Sequence, residues 1–350
     1  MKQDATRILV EATVRRTLKR AVRLWQSVVK SIQECPERAT RNFVDLGLQF
    51  SRGRFQTSLL EQFRKMLQNE KSAYYDLAKR IATGVDHDLV TTFGVNIGYN
   101  GFTKGARLIR RIEAERGFNI PWALHVGINE EKLAAEPGFY PDLFRQATAL
   151  GIHTFLVFAD GDLNNLLPLI QEKADCAFIL FLHGRQIDDA FLTRMRSIKN
   201  AMVSVYLDED TSAACEGLRA GRLLYAVHSW YLDQDVPQIV SGHWLQSILA
   251  FRPAFALLRA DRACSRQAQQ EIYQYIVDVR NSQRYPVLCM EIKQDSLLID
   301  RIISDGECFV GFDANGNLRT HEETYSDVRY NVFFHPLEEI LQVREALAPT

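Results

Sequence analysis

Apolar side chains recur in steps of three and four through residues 8–33, at Val14, Leu18, Ala21, Val22, Trp25, Val28, Val29 and Ile32. That period marks one face of a helix, and basic residues fill the opposite side. Shorter stretches of the same pattern predict helices over 57–67 and 73–82, and Asp86 is placed to cap a further short one. Gly101 and Gly105 flank the entry to a helix over 106–116, which Gly117 can end in the left-handed conformation.

After Pro121 the pattern changes. Short apolar runs at 122–128, 153–159, 176–182, 201–207, 223–229, 254–259 and 286–292 read as strands. Their starts lie 31, 23, 25, 22, 31 and 32 residues apart, room for a strand, a crossover helix and two loops. The predicted helices cover 142–150, 163–173, 188–198, 237–250 and 265–279, with a shorter one around 211–219. Repeated strand–helix units imply parallel strands with right-handed crossovers. With no GxGxxG or P-loop glycines, the expected fold is α/β, a partial or full TIM-like (β/α) barrel. Residues 309–313 and 318–320 flank Asn315-Gly316 and read as a hairpin with a type I′ turn, followed by a closing helix over 336–347. The expected organisation is a helical N-terminal extension over 1–118, a barrel core over 119–293 and a C-terminal hairpin and helix over 294–350.

Composition narrows the function classes. Apolar residues at 47% and charged residues at 24% exclude a disordered or fibrous chain. The net charge of -1 provides no whole-chain field for nucleic acid, although residues 1–70 carry a local excess of +7. No apolar run approaches the roughly 20 residues of a membrane-spanning helix. Arg15, Arg16, Lys19, Arg20 and Arg23 interrupt anything resembling a secretory signal, so a cytoplasmic location is expected. Six cysteines are scattered, no two within four residues, which argues for reduced thiols rather than a close-spaced metal clip or a disulfide framework.

Several segments resemble the radical S-adenosylmethionine superfamily, over about residues 90–340. They are Tyr99-Asn100-Gly101-Phe102-Thr103-Lys104-Gly105, Gly117-Phe118-Asn119-Ile120-Pro121-Trp122-Ala123, Leu150-Gly151 with the following strand, 198–208, and Asp313-Ala314-Asn315-Gly316-Asn317. The resemblance implies a barrel of that superfamily's type. It also implies a CxxxCxxC loop after the first strand, whose thiolates hold three irons of a cubane cluster. Here the matching positions are Lys132, Glu136 and Phe139, followed by Tyr140. Ammonium and phenyl groups do not ligate iron, and one carboxylate does not hold a cubane. The glycine-rich turn after the second strand reads Ala159-Asp160-Gly161-Asp162, the acidic residue ending the fourth strand is Asp208, and a C-terminal cysteine position is His321. On this reading the chain is a degenerate, non-catalytic member. No cofactor is expected, no iron–sulfur cluster is expected, and S-adenosylmethionine binding is argued against.

Ligands of such a barrel sit at the C-terminal ends of the strands. That rule nominates Asp160, Asp162, His183, Asp208, His228, Arg259, Asp261 and Arg262, with His125 and Glu209 beside them. Each has a plainer role. Asp160 and Asp162 can cap the helix at Leu163, and His183 and His228 can be hydrogen-bonded core or loop residues. Arg259, Asp261 and Arg262 can clamp a carboxylate or phosphate, or pair as surface ions. Lys132 and Glu136, four apart, can form a helical ion pair. The eight histidines show no HExxH spacing, so no metal site is expected without convergence of distant residues.

The leading expectation is a binding or accessory protein. It would pair with an active homologue of that superfamily or hold a peptide or small molecule in the barrel cleft. The first alternative is an enzyme with cluster-independent chemistry that uses carboxylates and histidines at the barrel mouth. The second is a membrane-surface or nucleic-acid-associated protein acting through residues 8–33.

Overall fold

A computed structural model describes residues 31–32, 34–51, 54–304 and 306–345. Expectations for the basic arm over 8–33 therefore lie outside the described residues, apart from Ser31 and the buried Ile32.

The seven expected barrel strands form: β1 (Ala123–Gly127), β2 (Thr154–Phe158), β3 (Ala177–Leu182), β4 (Ala201–Tyr206), β5 (Tyr225–Tyr231), β6 (Phe255–Ala260) and β7 (Leu288–Glu291). They pair in chain order, each parallel to the next. Near-continuous apolar sequence is what strands covered on both faces require. Three short strands complete the sheet: β8 (Val310–Phe312), β9 (Leu318–Arg319) and β10 (Thr324–Tyr325). β8 runs parallel to β1, whereas β9 and β10 are antiparallel additions. The sheet order is β10-β9-β8-β1-β2-β3-β4-β5-β6-β7. β7 and β10 stand at its two edges, so the fold is a curled, partial barrel rather than a closed one.

Local chemistry explains most element ends. Asp86 accepts a 2.9 Å hydrogen bond from the Leu89 N–H and caps the helix His87–Val95. Asp188 and Ser265 cap Asp189–Met195 and Arg266–Ser282 in the same way. Gly117, at φ 75°, ends Ala106–Arg116 in the left-handed region. Residues Asn96–Gly105 wind as a wide π-type helix leading into that element. An added methyl at Gly105 would meet the Gly151 carbonyl oxygen at 2.3 Å and that of Asn100 at 2.7 Å, so the close approach needs glycine.

Two expectations are corrected, and one helix is added. The single helix over 237–250 is two, Val236–Val240 and His243–Leu249, broken at Gly242 with φ 87°. The hairpin turn is not type I′, because φ is positive at Gly316 but not at Asn315. Instead the Gly316 N–H bonds to Asp313 O and the Asp313 N–H to Asn317 O, a type I turn followed by a glycine bulge. The helix Ile292–Ile303, unassigned from sequence, follows β7 directly, with Glu291 as its cap.

The main hydrophobic core runs from Phe55 to Leu341, and two smaller clusters centre on Ile32, Ala39 and Ala82 and on Val44, Leu67, Tyr74 and Tyr75. The Phe55, Phe102 and Trp122 rings, with centroids 4.4 and 5.4 Å apart, bind the N-terminal helices to the foot of β1. Among the described residues, no helix is long and apolar enough to cross a membrane.

Candidate functional site in the open barrel mouth

Two cavities open at the C-terminal ends of the strands, with volumes of about 550 and 250 Å3. They share Arg259, Phe309 and Arg319. The larger lies between the two sheet edges. Arg259 at the end of β6 and Lys293 after β7 form one wall, and Arg319 and His321 of the hairpin form the other. The gap left by the missing closure is therefore the cleft.

Arg259 stands at the junction. It is 8% exposed, and its guanidinium carbon lies 4.1 Å from the Phe158 ring centroid and 4.3 Å from that of Trp230. Trp230 is its register partner on β5, so parallel pairing itself brings one of the two rings beside it. Among the described residues Arg259 makes no hydrogen bond and no ion pair within 4.0 Å. Glu291, whose charge opposes the shift of Arg259 most, is buried and accepts from the Gln294 N–H at 2.6 Å and the Tyr231 hydroxyl at 3.3 Å. Burial pushes Glu291 up to about 7, so at neutral pH it offers only part of a charge. Burial first, and Arg319 next, lower Arg259 to about 9, which leaves it cationic at neutral pH. Arg319 is lowered by burial and by Arg262. Arg259, Arg262 and Arg319 thus share a cleft whose lining also carries Asp261, Glu307, Glu322 and Glu323, none of which comes within ion-pair distance of these three arginines among the described residues.

The smaller cavity is lined by histidines and aromatic rings. Phe158 and Phe181, register partners on β2 and β3, stack at 4.5 Å. His228 lies 5.0 Å from Phe181, and its Nδ1 is 2.9 Å from the Ser204 hydroxyl. Burial, reinforced by Arg259, lowers His228 to about 3, so it is neutral. His125 is fully buried and shifted in the same direction by burial, Arg259 and Arg319. Its Nδ1 has no hydrogen-bond partner among the described residues. Gly311, its register partner on β8, makes room for it, since a methyl there would come within 2.6 Å of the His125 Cβ.

The sequence candidates separate into groups. Asp160, His183 and Asp208 meet: His183 Nδ1 is 3.4 Å from Asp208 Oδ2, and Nε2 is 4.0 Å from Asp160 Oδ1. Gln186 holds the Asp160 loop, donating to Ala159 O at 2.9 Å and Gly161 O at 3.0 Å. Asp162 instead turns to the Asn164 N–H at 2.9 Å. The expected helix cap at Leu163 is not made, because the helix starts at Leu166 after a turn. Arg259, Asp261 and Arg262 all line the larger cavity and form no surface ion pairs among the described residues. Asp261 accepts from the Ala263 N–H at 2.9 Å.

The sequence reading did not nominate Trp230, Phe309, Arg319 or Lys293. Arg319 carries the one faint signal, a cation beside the Asn-Gly turn on a strand that returns to the mouth.

The loop after β1 was the expected place of a cluster. Lys132 Nζ is 2.6 Å from Glu136 Oε1 and 5.1 Å from the ring centroids of both Phe139 and Phe333. Phe139 begins a helix, Phe139–Ala149. These three side chains provide one paired carboxylate and no thiolate, so they do not fit a cluster held by three sulfurs.

No protein-family model matches the chain, and no curated protein matches it. Among solved structures it is similar to Streptococcus suis SuiB bound to the precursor peptide SuiA. Identity is 10%, the match covers 68% of each chain, and the TM-score is 0.46. A structure of Streptococcus suis SuiB matches at 10% identity over 75% of this chain and 81% of that one, with a TM-score of 0.47. SuiB bound to S-adenosylmethionine matches at 10% identity over 77% and 80%, with a TM-score of 0.45. At this identity the likeness concerns the fold alone. It corrects one expectation. The reading that S-adenosylmethionine binding is argued against does not stand, because a similar chain was solved with that molecule bound. The expectation of no cofactor falls with it. Missing thiolates remove ligands to iron, but they do not remove a cleft in which an organic molecule can sit.

Proposed function

We propose that this chain is a binding protein whose open barrel mouth holds a carboxylate- or phosphate-bearing small molecule or peptide. One observation carries the reading. Arg259 is buried, stacked between two rings and unpaired by any described side chain, at the meeting point of two cavities. Burying an unpaired charge is unfavourable, and it persists where a ligand supplies the missing counter-charge. A planar guanidinium held against two rings has N–H edges that suit a carboxylate or phosphate. The larger cavity has the volume of a small-molecule site.

Arg262 and Arg319 would contribute further charge, and His125 Nδ1 a polar contact deeper in the mouth. A peptide fits through its terminal carboxylate, and S-adenosylmethionine through its own. Binding, rather than bond-making, is the role assigned. Pairing with an active homologue remains compatible with it.

Calorimetric titration of the full chain with inorganic phosphate, triglycine and S-adenosylmethionine tests this reading. At least one should bind the wild type at least tenfold more tightly than the Arg259→Met variant. Equal binding to both proteins, or no binding by any of the three, would overturn it.

A further inference from the structure

The opposite end of the barrel carries a second constellation. β2 and β3 pair in register from Thr154 and Ala177, so the residues that precede them, His153 and Cys176, arrive side by side. The Ala177 N–H bonds to His153 O at 2.8 Å and fixes this juxtaposition. Asp175 then reaches both neighbours: Oδ2 is 3.8 Å from His153 Nδ1, and Oδ1 is 3.7 Å from Cys176 Sγ. One ligand atom from each residue lies within 4.8 Å of the others. The backbone beneath is held by Asn100, which donates to Asp175 O at 2.9 Å, and by Asn96, which donates to Cys176 O at 2.7 Å.

Two features point to a missing partner. The His153 side chain is only 4% exposed, yet its Nδ1 has no hydrogen-bond partner among the described residues. Asp175 is 58% exposed, so the cluster opens to solvent on one side.

We propose that His153, Asp175 and Cys176 form a zinc site, with a water in the fourth position. The donor set of imidazole nitrogen, carboxylate oxygen and thiolate sulfur is a mixture that Zn2+ accepts and that the harder Mg2+ and Ca2+ do not. Ordinary zinc bond lengths place tetrahedral donors about 3.4–3.7 Å apart; the 3.8 and 3.7 Å contacts here engage the two different oxygens of Asp175, so that exposed carboxylate turns to give the ion one of them. Thiolate and carboxylate together neutralise the ion, and the Cys176 proton leaves on binding. Lys104 and Lys173 are the nearby cations that oppose a metal. The site would staple the starts of β2 and β3 to the loop at Asp175.

Metal-stripped full-length chain titrated with Co2+ provides the test. One equivalent should produce tetrahedral visible bands and a sulfur-to-cobalt charge-transfer band, both bleached by Zn2+. Asp175→Asn, at an exposed position, should weaken Zn2+ binding at least tenfold. Cys176→Ser, checked for folding by circular dichroism, should lose the charge-transfer band, and Cys35→Ser should keep it. No sulfur-to-cobalt band in the wild type, its persistence in folded Cys176→Ser, or unchanged Zn2+ affinity in Asp175→Asn would overturn the proposal.

Discussion

The Arg259 guanidinium carbon lies 4.3 Å above the ring centroid of Trp230, its register partner on the neighbouring strand. The Phe158 ring centroid lies 4.1 Å from the same carbon. Such stacking stabilises a desolvated cation by about 2 kcal/mol or more per ring, and it works against a penalty of several kcal/mol for taking an unpaired ion out of water. Arg259→Met should therefore raise the stability of the ligand-free protein by about 1–2 kcal/mol in urea denaturation. A loss of stability of that size would mean that a described group already neutralises Arg259.

Glu291 gives stability an unusual pH dependence. Its carboxyl titrates near 7 in the fold, against an ordinary 4.5. Between those values the folded state holds a proton that the unfolded state has lost. This contribution is full below the unfolded pKa and is lost as pH rises towards 7, at about 1.4 kcal/mol per pH unit. Glu291→Gln should remove that slope, so the variant gains on the wild type between pH 5 and pH 8. Parallel stability curves for the two proteins would contradict the assignment.

His228 runs the other way. Its folded pKa of about 3 lies below the ordinary 6.5. The unfolded chain takes the proton first, so stability is lost as pH falls below about 6.5. His125 shifts in the same direction. The loss of stability from pH 7 to pH 5 should be smaller in His228→Asn than in the wild type, by about 1–2 kcal/mol. An equal loss would show that His228 is not held neutral.

Gly105 and Gly84 make a matched pair. A methyl at Gly105 would collide with two carbonyl oxygens, whereas nothing lies within 4 Å of one at Gly84. Gly105→Ala should destabilise by about 1–3 kcal/mol or more. Gly84→Ala, at the end of the helix Tyr74–Gly84, should be neutral or stabilising by up to about 1 kcal/mol. Thermal melts of the two variants decide this, and equal effects would contradict the packing at Gly105.

Much of the fold was legible because buried parallel strands demand uninterrupted apolar runs, as at Ala177–Leu182, and because Asp86, Asp188 and Ser265 mark helix starts. The helix Ile292–Ile303 escaped notice for a physical reason. It follows β7 with no glycine, proline or polar loop between them, so one apolar stretch changes period without punctuation. The site was half legible. Strand-end logic named Arg259, His183 and Asp208, but stacking on Phe158 and Trp230 depends on register and curvature. Arg319 joins them only because the hairpin pairs beside β1, at the edge of a barrel that does not close. His153 and Cys176 meet for the same kind of reason, one residue before two strands in register.

The side-chain Nε–Hε resonance of Arg259 reads the central claim most directly. It can be assigned in 15N-arginine-labelled protein by its loss in Arg259→Met. Titration with inorganic phosphate, triglycine and then S-adenosylmethionine should shift this resonance in a saturable way with at least one of them. The shift should follow the binding curve measured by calorimetry. A resonance that stays fixed while a ligand saturates the protein would place the ligand elsewhere and contradict the account.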